Sequence, residues 1–341
     1  MTKILAFVKR HRLTTFFVLA YALSWWAWIL YGLGLFPNPV ASFGPFLAAI
    51  VVLALTEGKA GILGLFRRMV RWRVAPGWYA VALLLPVVLA AAATALNVLL
   101  GAEPPSAAAL NAWPGIFTTF AIILLIPGVG GAWEEPGWRG YAVPRLQSGR
   151  SALVASLILA VLIAGWHLPL MVAGQVHYSD IVLIVAAVIV FNWVFNNAKG
   201  SVLIIMLMHA ANNAASGSFF SPMFSGADSI RQSWLLALVW VVVAGLVIAI
   251  AGPRKITSDG TWTILGSAPA AFAKIMMIWF QVSTSSDVMW KASPSVRVLP
   301  SSGTKPSAKS SLCVRVQSEV SSPCTTTSFP SRIRCTAVQP A

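Results

Sequence analysis

The sequence predicts an all-α polytopic membrane protein, about eight transmembrane helices enclosing an intramembrane polar cavity. Three observations predict it. Apolar residues make up 58% of the 341 and charged residues only 10%, where a soluble domain carries roughly a quarter charged. Long uncharged runs recur up to Gly252, and a spanning helix needs about 20 mostly apolar residues. The 24 Lys and Arg against 9 acids are sorted along the chain rather than scattered. A mean hydropathy of +0.79 excludes a soluble enzyme and a disordered protein. At a net charge of +15, a nucleic-acid binder would show basic clusters and few apolar runs. This chain is the reverse, so no nucleic-acid partner is expected.

The expected spans are 15–36, 40–56, 77–100, 117–141, 151–172, 180–198, 201–217 and 232–251. The second and seventh are short enough for tilt or re-entrance. The fourth is interrupted by Pro127-Gly128-Val129-Gly130-Gly131. Basic residues orient the set. Lys3, Lys9, Arg10 and Arg12 precede the first span, and Lys59, Arg67, Arg68, Arg71 and Arg73 follow the second. Arg145 and Arg150 follow the fourth, Lys199 the sixth, and Arg254 and Lys255 the eighth. Simple alternation puts all of these on one side, which predicts a multi-pass protein of the plasma (inner) membrane with both termini cytoplasmic. Ala20-Tyr21-Ala22 has the small-x-small look of a signal cleavage site, but few apolar residues precede it and the run continues to Phe36. An uncleaved first span is expected.

The chain divides into a transmembrane part, 1–252, and a tail, 253–341. The tail holds 17 Ser, 9 Thr and 8 Pro, with 10 basic and 3 acidic residues. Such a composition buries too little apolar surface to offset ordering entropy, so disorder is expected. Residues 268–282 are compatible with a short apolar helix on the membrane surface or with a chance apolar run. Cys313, Cys324 and Cys335 fit no metal pattern. The tail reads as foreign or frame-shifted sequence, dispensable for insertion and activity.

An acid within hydrocarbon marks a functional site by default. Of the six acids in the membrane part, Glu57, Glu103, Asp180 and Asp228 fall at span ends or in loops, where water satisfies them. Glu134 and Glu135 sit among apolar and aromatic residues in GVGGAWEEPGWRGYAVPRLQ. On a helix Glu135 and Arg139 are four apart with the acid first, the favourable order for an ion pair. Pro136 fits the first turn of a helix opened by the glycine-rich break. Two adjacent carboxylates do not both ionise cheaply in a low dielectric. With Arg139 holding Glu135 ionised, Glu134 is left to exchange a proton and act as general base toward a water. The structural alternative is an ion pair that only stabilises, beside a solvated Glu134.

His11 and His177 fall in solvated segments, whereas His167 (AGWHLPL) and His209 (LIIMLMHAANNAAS) lie within spans. One intramembrane His is commonly just an interhelical donor, but two beside an embedded carboxylate pair point to a site. His209 and Asn213 are four residues apart, about 6 Å along one helical face. That spacing offers two donors to one oxygen, as an oxyanion hole requires. Asn192, Asn196, Asn197 and Asn212 either support the polar cavity or bridge helices, and Asn212 reads as a helix contact. At 1.5 Å per residue, Glu134, His167 and Asn213 lie about 18–24 Å from the basic ends of their spans, and His209 about 12 Å. Those depths are compatible with one cavity.

These motifs, EExxxR (Glu134, Glu135, Arg139), an intramembrane His in a WHLP context (His167) and HxxxN (His209, Asn213), resemble the CPBP intramembrane peptidases. That family includes CAAX prenyl endopeptidases and bacteriocin-processing or self-immunity (Abi-like) proteins. The resemblance covers roughly 115–215, and its wording is similar to prokaryotic members. It implies peptide-bond hydrolysis in a membrane cavity, with a membrane-associated peptide or protein as substrate. By motif, Glu134 would activate water with help from His167, His209 and Asn213 would stabilise the oxyanion, and Glu135 and Arg139 would orient the site. The family has been treated both as zinc enzymes and as metal-free glutamate proteases. No cofactor is expected here, since zinc sites usually have three close ligands and no HExxH pair is present. A zinc ion, if one served, would be held by Glu134, His167 and His209. Two other functions remain open. One is a noncatalytic peptide-binding immunity or scaffold protein. The other is a proton-coupled transporter, which would more often show the internal repeats that this sequence lacks.

Overall fold

The computed structural model describes residues 2–251, and among these there is no β-strand. The expectations for the tail and its three cysteines lie outside the described residues.

The chain opens with α1 (Thr2–Arg10), α2 (Arg12–Gly32), α3 (Gly44–Thr56) and α4 (Gly58–Met69). Then come α5 (Pro76–Leu99), the short α6 (Ala107–Asn111) and α7 (Gly115–Leu125). A 3-10 turn (Ala132–Glu134) leads into a π-helix (Pro136–Ala142) and α8 (Val143–Leu146). Next are α9 (Ala152–Trp166), α10 (Leu168–Val172), α11 (Tyr178–Asn197) and α12 (Val202–Asn212). A second π-helix (Asn213–Phe220) and a 3-10 turn (Ser221–Met223) precede α13 (Gly226–Ala251).

Helix starts follow capping chemistry. The Ser151 hydroxyl accepts from Val154 N at 3.2 Å to open α9, and Ser201 accepts from Ile204 N at 3.3 Å to open α12. The Asp180 carboxylate accepts from His177 N at 2.8 Å in the first turn of α11. Each satisfies a backbone donor that a helix start leaves orphaned.

Five stretches are long and apolar enough to cross a membrane: α2, α5, α11, Val202–Met223 and Gly226–Ile250. Of the eight expected spans, three appear as shorter apolar helices, α3, α7 and α9. The 13 residues of α3 reach about 20 Å at 1.5 Å each, short of a hydrocarbon core of about 30 Å. The fourth expected span, 117–141, is broken at its glycine-rich interruption into separate helices. Its first helix ends at Leu125, because Gly128 and Gly130 adopt φ of +90° and +64°, a conformation closed to helix. The seventh span, expected to be short, instead runs on, since α12 passes directly into the second π-helix.

Packing surrounds these irregular segments with regular ones. α2 lies on α3, α11 on α9 and α13, and α5 on α12 and α13, while the first π-helix rests on α3 and the second on α7. The α5–α13 contact is polar at one end. Arg231 Nε donates to Asn97 Oδ1 at 2.7 Å and Gln232 Nε2 to Thr94 Oγ1 at 3.0 Å, and Arg231 pairs with Asp228 at 2.7 Å. Between transmembrane helices such bonds contribute about 0.6 kcal/mol each. Asp228 and Glu57, expected to be simply solvated, are therefore paired, Glu57 with Arg145 at 2.5 Å and Arg12 at 3.6 Å.

Candidate active site

The site begins where the chain stops being an α-helix. After the glycine break, Ser42 Oγ donates to Gly130 O at 2.6 Å and Trp133 Nε1 to Leu124 O at 3.0 Å. These two bonds fold the loop back so that the 3-10 turn delivers Glu134 and Glu135 into the interior. Both are buried, Glu135 at 0% exposure. The π-helix that follows is wholly buried from Pro136 to Ala142. Its i→i+5 bonding is the kind of local widening that recurs at functional sites.

Glu135 is the hub. Its carboxylate accepts from Arg139 Nη1 at 3.0 and 2.9 Å, and its Oε1 lies 2.6 Å from His209 Nδ1. Arg139 Nε donates to Asn192 Oδ1 at 3.1 Å, and Asn192 Nδ2 to Ser156 Oγ at 2.9 Å. Ser156 completes the chain by donating to Ala152 O at 2.7 Å. The Arg139 guanidinium also sits 5.1 Å over the Phe191 ring, which meets His209 edge-on at 5.8 Å. Five elements are thereby tied together: α9, α11, α12, the 3-10 turn's end and the π-helix. A buried ion pair is stabilising only when its remaining donors and acceptors are satisfied, and here Arg139 Nε and both Glu135 oxygens have partners.

With Nδ1 committed to Glu135, His209 turns Nε2 toward the α-carbon of Gly131. A β-carbon there would collide with the imidazole, so only glycine allows the ring this position. Glu134 stands beside the same group, within electrostatic reach of His209, Glu135 and Arg139. Its Oε2 accepts from Trp138 Nε1 at 3.4 Å, leaving Oε1 for other partners.

His167 closes α9, its Nδ1 2.9 Å from Ile163 O, so that Nδ1 donates and Nε2 carries the lone pair. An aromatic group fixes the ring. Trp166 meets it edge-on at 4.9 Å, Trp28 stacks at 6.2 Å, and Trp166 packs against Trp138 at 5.5 Å. Trp138 thus touches both the Glu134 carboxylate and the support of His167. His167 and His209 are within electrostatic reach of each other.

Asn213 is the outlier. α12 ends at Asn212, and Asn213 heads the second π-helix, where its Oδ1 accepts from Asn212 Nδ2 at 3.2 Å. That bond leaves the Asn213 Nδ2 donors free. Asn212, expected as a helix contact, bonds to its sequence neighbour.

The expected residues Glu134, Glu135, Arg139 and His209 are brought together, and His167 joins them through the tryptophans. The sequence reading missed Trp138, Ser156 and Gly131. Trp138 stood four residues after Glu134, a spacing that could have found it. For a metal, the donor set does not fit. Among the described residues no three His, Cys, Asp or Glu converge as ligands.

The fold and site together define a multi-pass helical membrane protein with a buried carboxylate–arginine–histidine centre. Residues 116–215, which contain every one of these site residues except Ser42 and the tryptophan of α2, match the family described as Type II CAAX prenyl endopeptidase Rce1-like. The CPBP resemblance therefore holds over that segment. "CAAX prenyl protease 2" of Methanococcus maripaludis is 26% identical over 104 residues, covering 27% of this chain and 38% of the relative. The chain thus matches well under half the length of that relative.

Proposed function

We propose that the protein is an intramembrane endopeptidase that hydrolyses a peptide bond of a membrane-associated peptide or protein. The observation that carries the reading is the 2.6 Å contact of Glu135 with His209 beside a second buried carboxylate, Glu134. A pair of adjacent interior acids is costly, and here one is saturated by partners while the other keeps an oxygen for a reactant.

In the proposed reaction Glu134 takes a proton from a water held also by the Nε2 lone pair of His167. The water oxygen attacks the carbonyl carbon. His209, protonated on both nitrogens against the Glu135 carboxylate, donates Nε2–H to the developing oxyanion, and Asn213 Nδ2–H supplies a second donor. Glu134 then returns its proton to the amide nitrogen, the C–N bond breaks, and a carboxylate and an amine leave. Preorganised donors of this kind are worth about 10²–10³ in rate each. No step runs through a metal. The membrane is the plasma membrane, with the basic loops and both termini on the cytoplasmic side by the positive-inside rule.

The test compares the membrane peptidomes of cells carrying the intact protein and Glu134→Gln. A peptide that stays untrimmed only in the variant is the expected result. Normal trimming by an inserted Glu134→Gln protein would overturn the mechanism.

A further inference from the structure

Away from this centre, the junction of α3, α4 and the first π-helix forms a half-open cavity of about 280 Å³. Its wall includes Glu57, Gly61, Gly64, Arg68, Gly140 and Arg145. We infer that this cavity seats the phosphate of an anionic glycerophospholipid, with Arg68 as its principal ligand and α4 lying in the membrane interface above it.

Charge comes first. Arg68 Nη1 donates to Gly140 O at 3.0 Å, which leaves the rest of its guanidinium fork for a ligand. Arg145 also lines the cavity, its Nη2 2.5 Å from Glu57 Oε1, and Arg12 reaches the same carboxylate at 3.6 Å. Three arginines therefore face one acid. No other acid occurs between Glu57 and Glu103, while Lys59, Arg67, Arg71 and Arg73 all do. A guanidinium fork matches two phosphate oxygens, and the excess positive charge selects a headgroup that carries no compensating amine.

The second argument is the apolar pattern of α4. It buries Leu65 and Met69 against the core but exposes Leu63 and Phe66, and Val70 and Trp72 just beyond it are exposed too. These alternate with Arg67, Arg71 and Arg73, the last stacked 5.1 Å from the Trp72 ring. Apolar side chains interleaved with arginine on a short helix between apolar segments describe an element lying in the headgroup layer. Acyl chains of the seated lipid would run along Leu63 and Phe66.

The third is space. A β-carbon at Gly64 would meet nothing within 4 Å, so the cavity wall is bare at that point.

The full chain, purified in detergent, is titrated with dioleoyl phosphatidylglycerol or dioleoyl phosphatidylcholine, and bound lipid is counted by native mass spectrometry. One retained phosphatidylglycerol, with phosphatidylcholine bound several-fold more weakly, is the expected pattern. Arg68→Gln should weaken it about fivefold, the effect of one basic residue on an anionic lipid. Gly64→Leu fills the cavity without changing charge and should weaken it at least as much. Unchanged binding by Gly64→Leu, or equal binding of the two lipids, would overturn the site, as would displacement of the lipid by excess inorganic phosphate. Should Arg68→Gln fail to fold, Gly64→Leu decides alone. Peptidase activity enters none of these readouts.

Discussion

The Oε1 of Glu135 lies 2.6 Å from Nδ1 of His209, across 74 residues of chain. The contact fixes which imidazole nitrogen is turned toward Gly131 and makes the two side chains one functional unit. Their substitutions should therefore not add. Glu135→Gln and His209→Ala are each expected to lower kcat/KM by about 10²–10³, and the double variant by little more than the worse single one. Multiplicative losses in a double-mutant cycle would show that the two act separately.

The saturation of Glu135 by Arg139 predicts a stability effect distinct from catalysis. Arg139→Met leaves a fully buried carboxylate without its counter-ion and should cost about 3–5 kcal/mol. Adding Glu135→Leu should recover most of the loss while activity stays absent. Thermal unfolding in detergent checks this, and a double variant as unstable as Arg139→Met would refute it.

Ser156 and Asn192 act at a distance, through Arg139. Asn192→Leu should lower kcat with little change in KM, because it loosens a positioning residue and removes no substrate contact. Ser156→Ala removes one interhelical bond, worth about 0.6 kcal/mol, and should barely alter either constant. A KM effect of Asn192→Leu larger than its kcat effect would place Asn192 in the substrate path instead.

Gly131→Ala probes the approach of His209 most directly. The added methyl group collides with the imidazole, so the ring must swing away. A displacement of about 1 Å costs about 10²-fold in rate. Full activity in this variant would mean that the ring position does not matter to the reaction.

Metal removal separates the two mechanisms the family has been assigned. Prolonged treatment with EDTA and 1,10-phenanthroline is expected to leave peptide cleavage unchanged. A loss that zinc restores would assign Glu134, His167 and His209 to a metal.

The parts of the site that were legible in the sequence are those governed by local spacing. Glu135 and Arg139 pair as their i,i+4 separation suggests, even though the backbone between them is π-helical. The cost of burying an acid located Glu134 and Glu135 before any fold was known. Contacts between distant segments left no such trace. Nothing in the spacing of Glu135, Asn192 and Ser156 reveals that three helices meet at one guanidinium. The local geometry at Asn213 was not legible either. The HxxxN pattern presumes that α12 continues, but the helix changes its hydrogen bonding at that residue. The break in the fourth span was legible as Pro127–Gly131, but not how it folds, because a glycine stretch shows where a helix stops and not what winding follows it.

The two π-helices also set the protein's tolerance to changes in length. Each accommodates an i→i+5 loop where an α-helix would close at i→i+4, so losing one residue would let the segment relax to regular winding. That relaxation would keep the flanking turns in place but close the wide turn from which Arg139 reaches Glu135 and Asn192. The two residues between Gly137 and Gly140 are Trp138 and Arg139, so removing either takes away a contact to Glu134 or Glu135 along with the wide turn, and should abolish activity. The count of residues in these two short segments is then as binding a constraint as their identity. An active deletion variant would refute it.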